Sequence, residues 1–350
     1  MQTSKKSPVI FSISILLILF ILGNAILNYV FTTYISSSYE MWNYFKETQP
    51  EIIYTGSSQC LCGIDPETID NKLGIVSYNM GSNMQSFRSS YIAIKAAKEK
   101  KNIKRVVLCI DDEITMLDRN DNFRADASFQ HAMKEVYKDW YSTKAEMNFI
   151  FTEPVVFHTG SINYFFPWIY DRSSDIKQNL IEKNNKCSIE EVGDRLTSGR
   201  EPSEEVLDLN YTIVDRTTAH NDIEYENSID TICISKDSRK ELTKIADYCK
   251  KNDIELVAIT MPYPNALNLY TIDSYTETVA DLKDLFDTYG FDYNNFNLVK
   301  SDYYQYEISQ FKDNGHFNSN GSIAFSEILA DYLNETPTER SLHFYTTEEF

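Results

Sequence analysis

The chain begins with a long apolar segment. Residues 9–31, VIFSISILLILFILGNAILNYVF, contain no charged side chain. About 23 residues at a rise of 1.5 Å per residue are enough to cross a ~30 Å hydrocarbon core. Lys5 and Lys6 precede this segment. They favour a cytoplasmic location for residues 1–8 and an external location for everything after Phe31. The pattern predicts a retained single-pass anchor.

A cleaved signal peptide is the alternative for the same segment. Gly23-Asn24-Ala25 resembles a small-x-small cleavage site after a short apolar core. The apolar run resumes at residues 26–31 beyond that site, which favours the anchor. With either interpretation, the rest of the protein is expected to be exported.

After the anchor, short apolar runs alternate with segments of helical apolar spacing. The runs predict strands at 51–56, 74–81, 103–111, 254–262 and 291–296. The intervening segments predict helices at 65–73, 86–102, 235–253, 274–290 and 319–335. This alternation predicts an α/β fold with a mainly parallel sheet that is covered on both faces.

Three segments depart from the alternation. Residues 32–48 show no clear periodicity and are interpreted as a stalk. Residues 112–230 are interpreted as an insertion in a domain that spans 49–335. Its aromatic run NYFFPWIY, 163–170, suits a buried core, a platform for sugar rings or a contact with a membrane partner. Residues 336–350 lack apolar periodicity and are expected to form a mobile tail.

Composition and charge restrict the partners. The 350 residues include 52 acidic and 33 basic side chains, which gives a formal net charge of -19. This excess disfavours nucleic acid, whose affinity comes largely from Lys and Arg, and broad adhesion to an anionic membrane surface. A solvated acidic surface is the simplest interpretation. The 24 tyrosines and 20 phenylalanines are compatible with sugar binding without establishing it.

Six cysteines would permit up to three disulfides in an oxidising compartment: Cys60, Cys62, Cys109, Cys187, Cys233 and Cys249. Cys109, Cys233 and Cys249 lie in apolar strand-like or helical patterns and are expected to be small buried hydrophobic residues. Cys60 and Cys62 are too close in sequence to bridge each other well, and core packing is expected for them. The Cys and His spacing does not indicate a zinc site, and no cofactor is expected.

Three polar segments follow the apolar runs. Gly56-Ser57-Ser58 closes the first predicted strand, Asn79-Met80-Gly81 closes the second, and KDNGHFNSNG, 312–321, leads into the last helix. Function in a parallel α/β sheet gathers at the carboxyl ends of the strands. Asp313 and His316 lie three residues apart in the third segment. A histidine can take the proton of a serine hydroxyl while a carboxylate fixes the histidine tautomer.

These segments resemble a known family. TGSSQCLCGIDPETID, YNMG and DNGHFNSNG are similar to blocks one, two and five of the SGNH/GDSL hydrolase superfamily, in particular its membrane-anchored branch of D-alanyl-lipoteichoic acid biosynthesis. The resemblance covers 51–111 and 235–335. It implies a flavodoxin-like three-layer α/β/α fold, with Ser58 as nucleophile, His316 as base and Asp313 as the carboxylate that orients the base.

The resemblance also implies an oxyanion hole made of the backbone N–H groups of Ser58 and Gly81, with Ser57 in a supporting position. The third block of the family, whose asparagine usually completes this hole, has no counterpart in the chain. Asp111 and Asp112 stand at the end of the third predicted strand instead. Three functions remain open: an acyltransferase, an esterase that deacylates envelope glycans, and a non-catalytic accessory or binding protein with a degenerate site.

The function favoured by the resemblance is serine-dependent acyl transfer outside the cytoplasm of a Gram-positive bacterium. Ser58 would carry the acyl group between an acylated small-molecule or protein donor and a cell-envelope glycopolymer. A multi-spanning membrane acyltransferase is the expected partner. The remaining histidines match no motif and are expected to be structural or solvated: His131, His158, His220 and His343.

Overall fold

The computed structural model describes residues 6–32, 36–117, 125–126, 129, 132–133, 136–137, 166–169, 172–185, 203–207, 232–264, 273–313, 315–346 and 349. The chain divides into two compact units. The first combines Met1–Ser36 with Tyr137–Glu191, and the second combines Ser37–Val136 with Val192–Phe350. The first unit contains the apolar N-terminal helix, and the second contains the sheet.

The helices and strands are numbered in chain order. The helices are α1 (Lys6–Phe31), α2 (Ser36–Glu47), α3 (Ser58–Gly63), α4 (Pro66–Leu73), α5 (Phe87–Lys100), α6 (Asp112–Met116), α7 (Ile176–Asn185), α8 (Lys236–Lys251), α9 (Asp273–Tyr289), α10 (Ser319–Asn334) and α11 (Pro337–Leu342). The strands are β1 (Ile52–Thr55), β2 (Ser77–Asn79), β3 (Arg105–Ile110), β4 (Glu255–Thr260) and β5 (Asp292–Asn295). Each strand lies inside a segment that the hydrophobic pattern predicts as a strand.

The first unit is built on α1. Its segment Pro8–Phe31 contains an 18-residue stretch with a mean hydropathy of 2.7 and is long and apolar enough to cross a membrane. Among the described residues it is the one helix with these properties. A 3₁₀ turn, Pro167–Ile169, and α7 pack against α1. Both come from the predicted insertion, whose remaining part lies largely outside the described residues.

The second unit contains a parallel sheet of five strands in the order β2-β1-β3-β4-β5. The central strand β3 pairs with β1 and β4, so that Val107 lies between Tyr54 and Val257. Helices connect successive strands, as parallel pairing requires. The α/β class and the parallel sheet expected from the sequence are therefore confirmed. All strands end at one edge, where β1 and β3 lead into α3 and α6.

Both faces of this sheet are buried. Successive side chains of a strand point to opposite faces. Tyr54 and Val257 belong to a core cluster with Leu329 of α10, whereas Ile53 and Ala258, the next residues along the same strands, are equally buried. Helices α5, α8 and α9 contact β1, β4 and β5 respectively. The continuous apolar character of the strands is explained by this two-sided burial.

The prediction of a stalk at 32–48 is wrong for the described residues of that segment. Residues 36–47 form α2, and its side chains Trp42 and Phe45 are fully buried. Trp42 Nε1 donates a hydrogen bond to the carbonyl oxygen of Phe129 at 3.2 Å. The aromatic residues that obscured the periodicity are core residues of the second unit.

The prediction of a mobile tail at 336–350 is also wrong for much of that segment. Thr336 caps α11 through a capping box with Glu339. Arg340 is 1% exposed, and its Nη1 lies 2.9 Å from Asp292 Oδ2. Phe344 packs in the core as well. A short helix with one buried cation has no apolar periodicity, so the pattern concealed it.

The cysteines within the described residues form no disulfide with one another. Cys60, Cys62, Cys109 and Cys249 are buried, as expected for packing residues. Cys233 is exposed, so the expectation of burial is wrong for it. It lies in a segment without regular secondary structure before α8 rather than in a strand of the sheet. Cys187 lies outside the described residues.

Candidate active site

The turn after β1 passes very close to β3. Gly56 has no room for a side chain, because a Cβ there would lie 2.7 Å from the carbonyl oxygen of Cys109. Ser57 follows as the N-cap of α3 and accepts a hydrogen bond from the Gln59 N–H at 3.2 Å. Ser58 is therefore the first residue of α3, at the carboxyl edge of the sheet.

Ser58 lies in a continuous chain of hydrogen bonds with two side chains of a distant loop. Its Oγ is 2.7 Å from Nε2 of His316, and Nδ1 of His316 lies 2.8 Å and 3.0 Å from the two carboxylate oxygens of Asp313. The structure thus brings together the three residues that the sequence predicts as catalytic. Their order is the one in which a carboxylate orients a histidine that acts on a serine hydroxyl.

Local contacts fix the loop that carries Asp313 and His316. The N–H of Gly315 donates to Asp313 Oδ1 at 2.9 Å, and the N–H of Lys312 donates to the His316 carbonyl oxygen at 3.0 Å. The carboxylate therefore has a backbone contact besides the imidazole. His316 retains 27% of its side-chain exposure and Asp313 retains 50%, so the pair is reachable from solvent.

The residues that follow this loop are hydrogen-bonded to and packed against a neighbouring 3₁₀ turn, Ile308–Gln310. Asn318 caps α10, accepts from the Gly321 N–H at 3.1 Å and donates to the Ser309 carbonyl oxygen at 2.7 Å. A Cβ on Gly321 would lie 2.1 Å from the carbonyl oxygen of Gln310. The FNSNG sequence after His316 thus encodes a tight start of α10, which positions the histidine.

A buried carboxylate links the nucleophile turn to the end of β3. Ser57 Oγ donates to Asp111 Oδ2 at 2.5 Å, while Asp111 Oδ1 accepts from the Glu113 N–H at 2.9 Å and from the Tyr263 hydroxyl at 3.5 Å. Asp111 therefore acts as an acceptor in each of these contacts. It supports Ser57 and does not donate a hydrogen bond in any of them.

Burial raises the pKa of Asp111 above its usual value, and hydrogen bonds from Ser57 and the backbone partly offset this rise. Burial, followed by the charge of Asp111, raises the pKa of Asp112 to about 7. Among the described residues, no side chain or backbone group lies within normal hydrogen-bond distance of either carboxylate oxygen of Asp112, although the nearby Tyr275 side chain partly offsets the rise in its pKa. Burial and Asp111 also raise the pKa of Glu113. A charge on His316 lowers the pKa values of Asp111 and Glu113. These two carboxyl groups therefore interact electrostatically with the imidazole.

The predicted oxyanion donor Gly81 lies beside α3. A Cβ on Gly81 would be 2.8 Å from the Leu61 backbone nitrogen, so glycine permits this close approach. The Gly81 N–H donates to Asn79 Oδ1 at 2.9 Å, and Asn79 Nδ2 donates to the carbonyl oxygens of Cys60 and Ile64. The Gly81 amide is close to the nucleophile helix, and it has an acceptor within the protein. Its oxyanion role stays a prediction.

Other candidate groups lie apart from this constellation. His343 stacks on Tyr303 with ring centroids 3.6 Å apart and contacts Glu335 through Nε2, so its contacts are structural. His131, His158 and His220 lie outside the described residues. Among the residues that the structure describes, no group of three or more His, Cys, Asp or Glu side chains is arranged to hold a metal ion.

The contact between Asp111 and Ser57 is the part of the site that the sequence did not predict. The available signal was an acidic pair directly after a strand buried on both faces, where a charged side chain needs a partner.

Comparisons with known proteins add no relative: no family model matches the chain, and no curated protein matches it. The function is therefore inferred from the chain's own residues.

Proposed function

We propose that this protein is a membrane-anchored serine acyl-transfer enzyme that acts outside the cytoplasm through an acyl-serine intermediate. The observation that carries the proposal is the chain of hydrogen bonds from Ser58 through His316 to Asp313. A lone serine hydroxyl is a weak nucleophile, and an adjacent oriented base is what activates it. The three residues come from two ends of the second unit, so their meeting is not a consequence of sequence proximity.

The chemistry follows from the two hydrogen bonds. His316 Nε2 takes the proton of Ser58 Oγ as the oxygen attacks the acyl carbonyl carbon. Asp313 accepts from Nδ1–H, which fixes the tautomer and stabilises the imidazolium. Collapse of the tetrahedral intermediate breaks the bond to the leaving group, which receives the proton from His316. In the second half, an acceptor alcohol gives its proton to His316 and attacks the acyl carbon. The bond to Ser58 Oγ then breaks, and this oxygen takes the proton back from His316.

The developing oxyanion needs two donors, and the backbone N–H groups of Ser58 and Gly81 are proposed for this role. Gly81 would have to share its N–H with the substrate or release Asn79 Oδ1. Asn79 is held by its own bonds to α3, so sharing a three-centre hydrogen bond is the smaller change. An amide that is already oriented toward an acceptor needs little reorganisation.

The family and the substrate are part of the same proposal. The strand order β2-β1-β3-β4-β5 is that of flavodoxin-like doubly wound sheets, which supports the SGNH/GDSL assignment. The long apolar helix supports an anchored enzyme. By the family resemblance, the acceptor is a cell-envelope glycopolymer of a Gram-positive bacterium, which receives O-acyl groups from an acylated small-molecule or protein donor. A multi-spanning membrane acyltransferase is the proposed partner.

A non-catalytic accessory protein is the second candidate. Two observations favour it. The side chain at the end of β3 is the carboxylate of Asp111, which accepts a hydrogen bond from Ser57 instead of donating one to an oxyanion. The Gly81 N–H already donates to an acceptor within the protein. In such a protein the triad geometry would persist without turnover. The two candidates differ in whether Ser58 becomes acylated.

An activated aryl ester tests the proposal and separates its variants. We expect the full chain in detergent to release a burst of aryl alcohol as Ser58 is acylated, and a glycan acceptor to accelerate the slow phase with acylated glycan as product. Ser58→Ala should abolish the burst, and Ser309→Ala, an exposed serine, should retain it. Steady hydrolysis that no acceptor accelerates would indicate an esterase. Absence of any burst in the native chain would favour the accessory protein.

A further inference from the structure

The exposure of α1 changes along its length. Residues 8–22 are exposed all round, whereas one face of the helix is partly covered over residues 23–32. The covering residues are 166–169 and α7, which contact α1 and which together we call the collar. The change in exposure coincides with a change in composition, because the covered part carries the polar side chains Asn24, Asn28 and Tyr29 whereas residues 15–22 are all apolar.

The N-terminal part of the collar contacts the middle of α1. Phe166 packs edge-to-face on Phe20 with ring centroids 5.9 Å apart, and Trp168 Nε1 donates to Asn24 Oδ1 at 2.8 Å. Phe20 lies about 11 residues, or ~16 Å, before the end of the helix at Phe31. The 3₁₀ turn of the collar therefore lies beside the middle of α1, ~10–16 Å before the C-terminal end of the helix.

Helix α7 of the collar satisfies carbonyl groups at the end of α1. Lys183 Nζ donates to the carbonyl oxygens of Tyr29 and Thr32, and Asn179 Nδ2 donates to those of Val30 and Thr32. The last carbonyls of a helix have no partner within it, and a cation there complements the helix dipole. Such polar contacts belong in water or among lipid headgroups, which places the end of α1 above the hydrocarbon core.

The depth of the collar follows from the same physics. If α1 spanned the bilayer as far as Phe31, the turn Pro167–Ile169 would lie ~10–16 Å inside the hydrocarbon. Non-helical backbone is not tolerated where it faces lipid at such depth, whereas Trp is enriched at the membrane–water interface. If Asn24 and Trp168 mark that interface, residues 8–24 remain to cross. These are about 17 residues, or ~25 Å, at the short end of known spans.

We propose that the collar docks on a phospholipid bilayer. Residues 166–169 lie at the boundary between headgroups and acyl chains of the outer leaflet and set the depth of α1. Lipid is the occupant because the collar is continuous with the apolar surface of residues 8–22, and because Ile169, 55% exposed, extends that surface. The inference rests on the membrane anchor of the proposed function and is independent of the chemistry at Ser58.

Fluorescence quenching of the full chain in phosphatidylcholine vesicles tests this position. The lipids carry bromine either near the headgroup or near the end of the acyl chain. We expect shallow bromine to quench the collar tryptophan about twofold more than deep bromine, as for a ring at the interface. Trp168→Phe should lose this quenching. Trp42→Phe is the matched control and should retain it, because Trp42 is fully buried in the second unit.

Two further readouts keep the possible failures distinct. Flotation of the chain with the vesicles reports the anchor, and labelling by a serine-directed probe reports Ser58. A chain that floats and is labelled, and whose quenching by brominated lipid is the same with and without Trp168, refutes the collar alone. A chain that does not float refutes the anchor and the collar together, whatever the state of Ser58.

Discussion

Ser57 Oγ donates a 2.5 Å hydrogen bond to the buried carboxylate of Asp111. Ser57 is also the N-cap of α3, whose first residue is the proposed nucleophile Ser58. One hydroxyl therefore joins the start of α3 to the end of β3. The position of the nucleophile depends on a residue that takes no part in the chemistry.

Ser57→Ala tests this positioning role. The change removes an N-cap acceptor and leaves Asp111 without one of its donors. We expect a loss of about 1–3 kcal/mol in the free energy of unfolding. We also expect kcat for an activated ester to fall about 10- to 100-fold with little change in KM, because the nucleophile is displaced. Ser57→Thr keeps the hydroxyl and should restore kcat. If Ser57→Ala leaves kcat unchanged, the positioning role is wrong.

Asp313→Asn tests the orientation of His316. The amide keeps the shape of the side chain, and its NH₂ group favours the wrong imidazole tautomer. We expect kcat to fall on the order of 10⁴-fold with a nearly unchanged KM, as for a triad without its carboxylate. Asp302→Asn, at an exposed position of the same unit, is the control. Similar steady-state constants for the two variants would remove Asp313 from the mechanism.

Asp112 should make stability depend on pH. Its folded-state pKa of about 7 lies above the usual 3.8, so the folded protein holds this proton more tightly than the unfolded chain. The resulting stabilisation is complete below pH 4 and is lost as pH rises through 7. It amounts to roughly 4 kcal/mol over that interval, from about 1.4 kcal/mol per pH unit.

Asp112→Asn removes this proton-linked loss. The Tm of the variant relative to the native chain should therefore be higher at pH 8 than at pH 5, measured by thermal unfolding in detergent. Asp284→Asn, on an exposed face of α9, should show no comparable change between the two pH values. The same relative Tm for Asp112→Asn at both pH values would contradict the raised pKa.

Gly56→Ala tests the close approach of the nucleophile turn to β3. Its Cβ would meet Cys109 backbone and side-chain atoms at 2.7 Å and 2.8 Å. We expect a loss of about 1–3 kcal/mol in the free energy of unfolding from overpacking. At Gly315 a Cβ would meet its nearest atom, on Asp313, at 3.9 Å. Gly315→Ala should stay within about 0.5 kcal/mol of the native chain. Equal losses in the two variants would refute the packing argument.

The sequence was informative where the signal is local. Each strand of the sheet coincides with an apolar run. Asp313 and His316 lie only three residues apart in one loop, so the sequence alone indicated that they are close together. Helix α3 was not predicted: the first helix expected after β1 began at residue 65, whereas the structure has a helix already at Ser58–Gly63. Periodicity and turn chemistry act over a few residues and can be read from a single chain.

Long-range contacts were beyond the same pattern. The hydrogen bond between Ser57 and Asp111 joins positions 54 residues apart, and no periodicity encodes it. The tail was mistaken for a mobile segment because the buried Arg340 finds its charge partners on two strands, at Asp292 and Glu255. The collar contacts depend on an insertion whose aromatic residues allowed several interpretations.

Labelling with a fluorophosphonate probe shows whether Ser58 is an activated nucleophile. The native chain should be labelled, with the adduct located by mass spectrometry on the peptide that contains Ser58. Ser58→Ala should be unlabelled, His316→Gln should be labelled far more slowly, and Ser309→Ala should match the native chain. Strong labelling that survives Ser58→Ala, or a native chain that the probe does not label, would contradict the account.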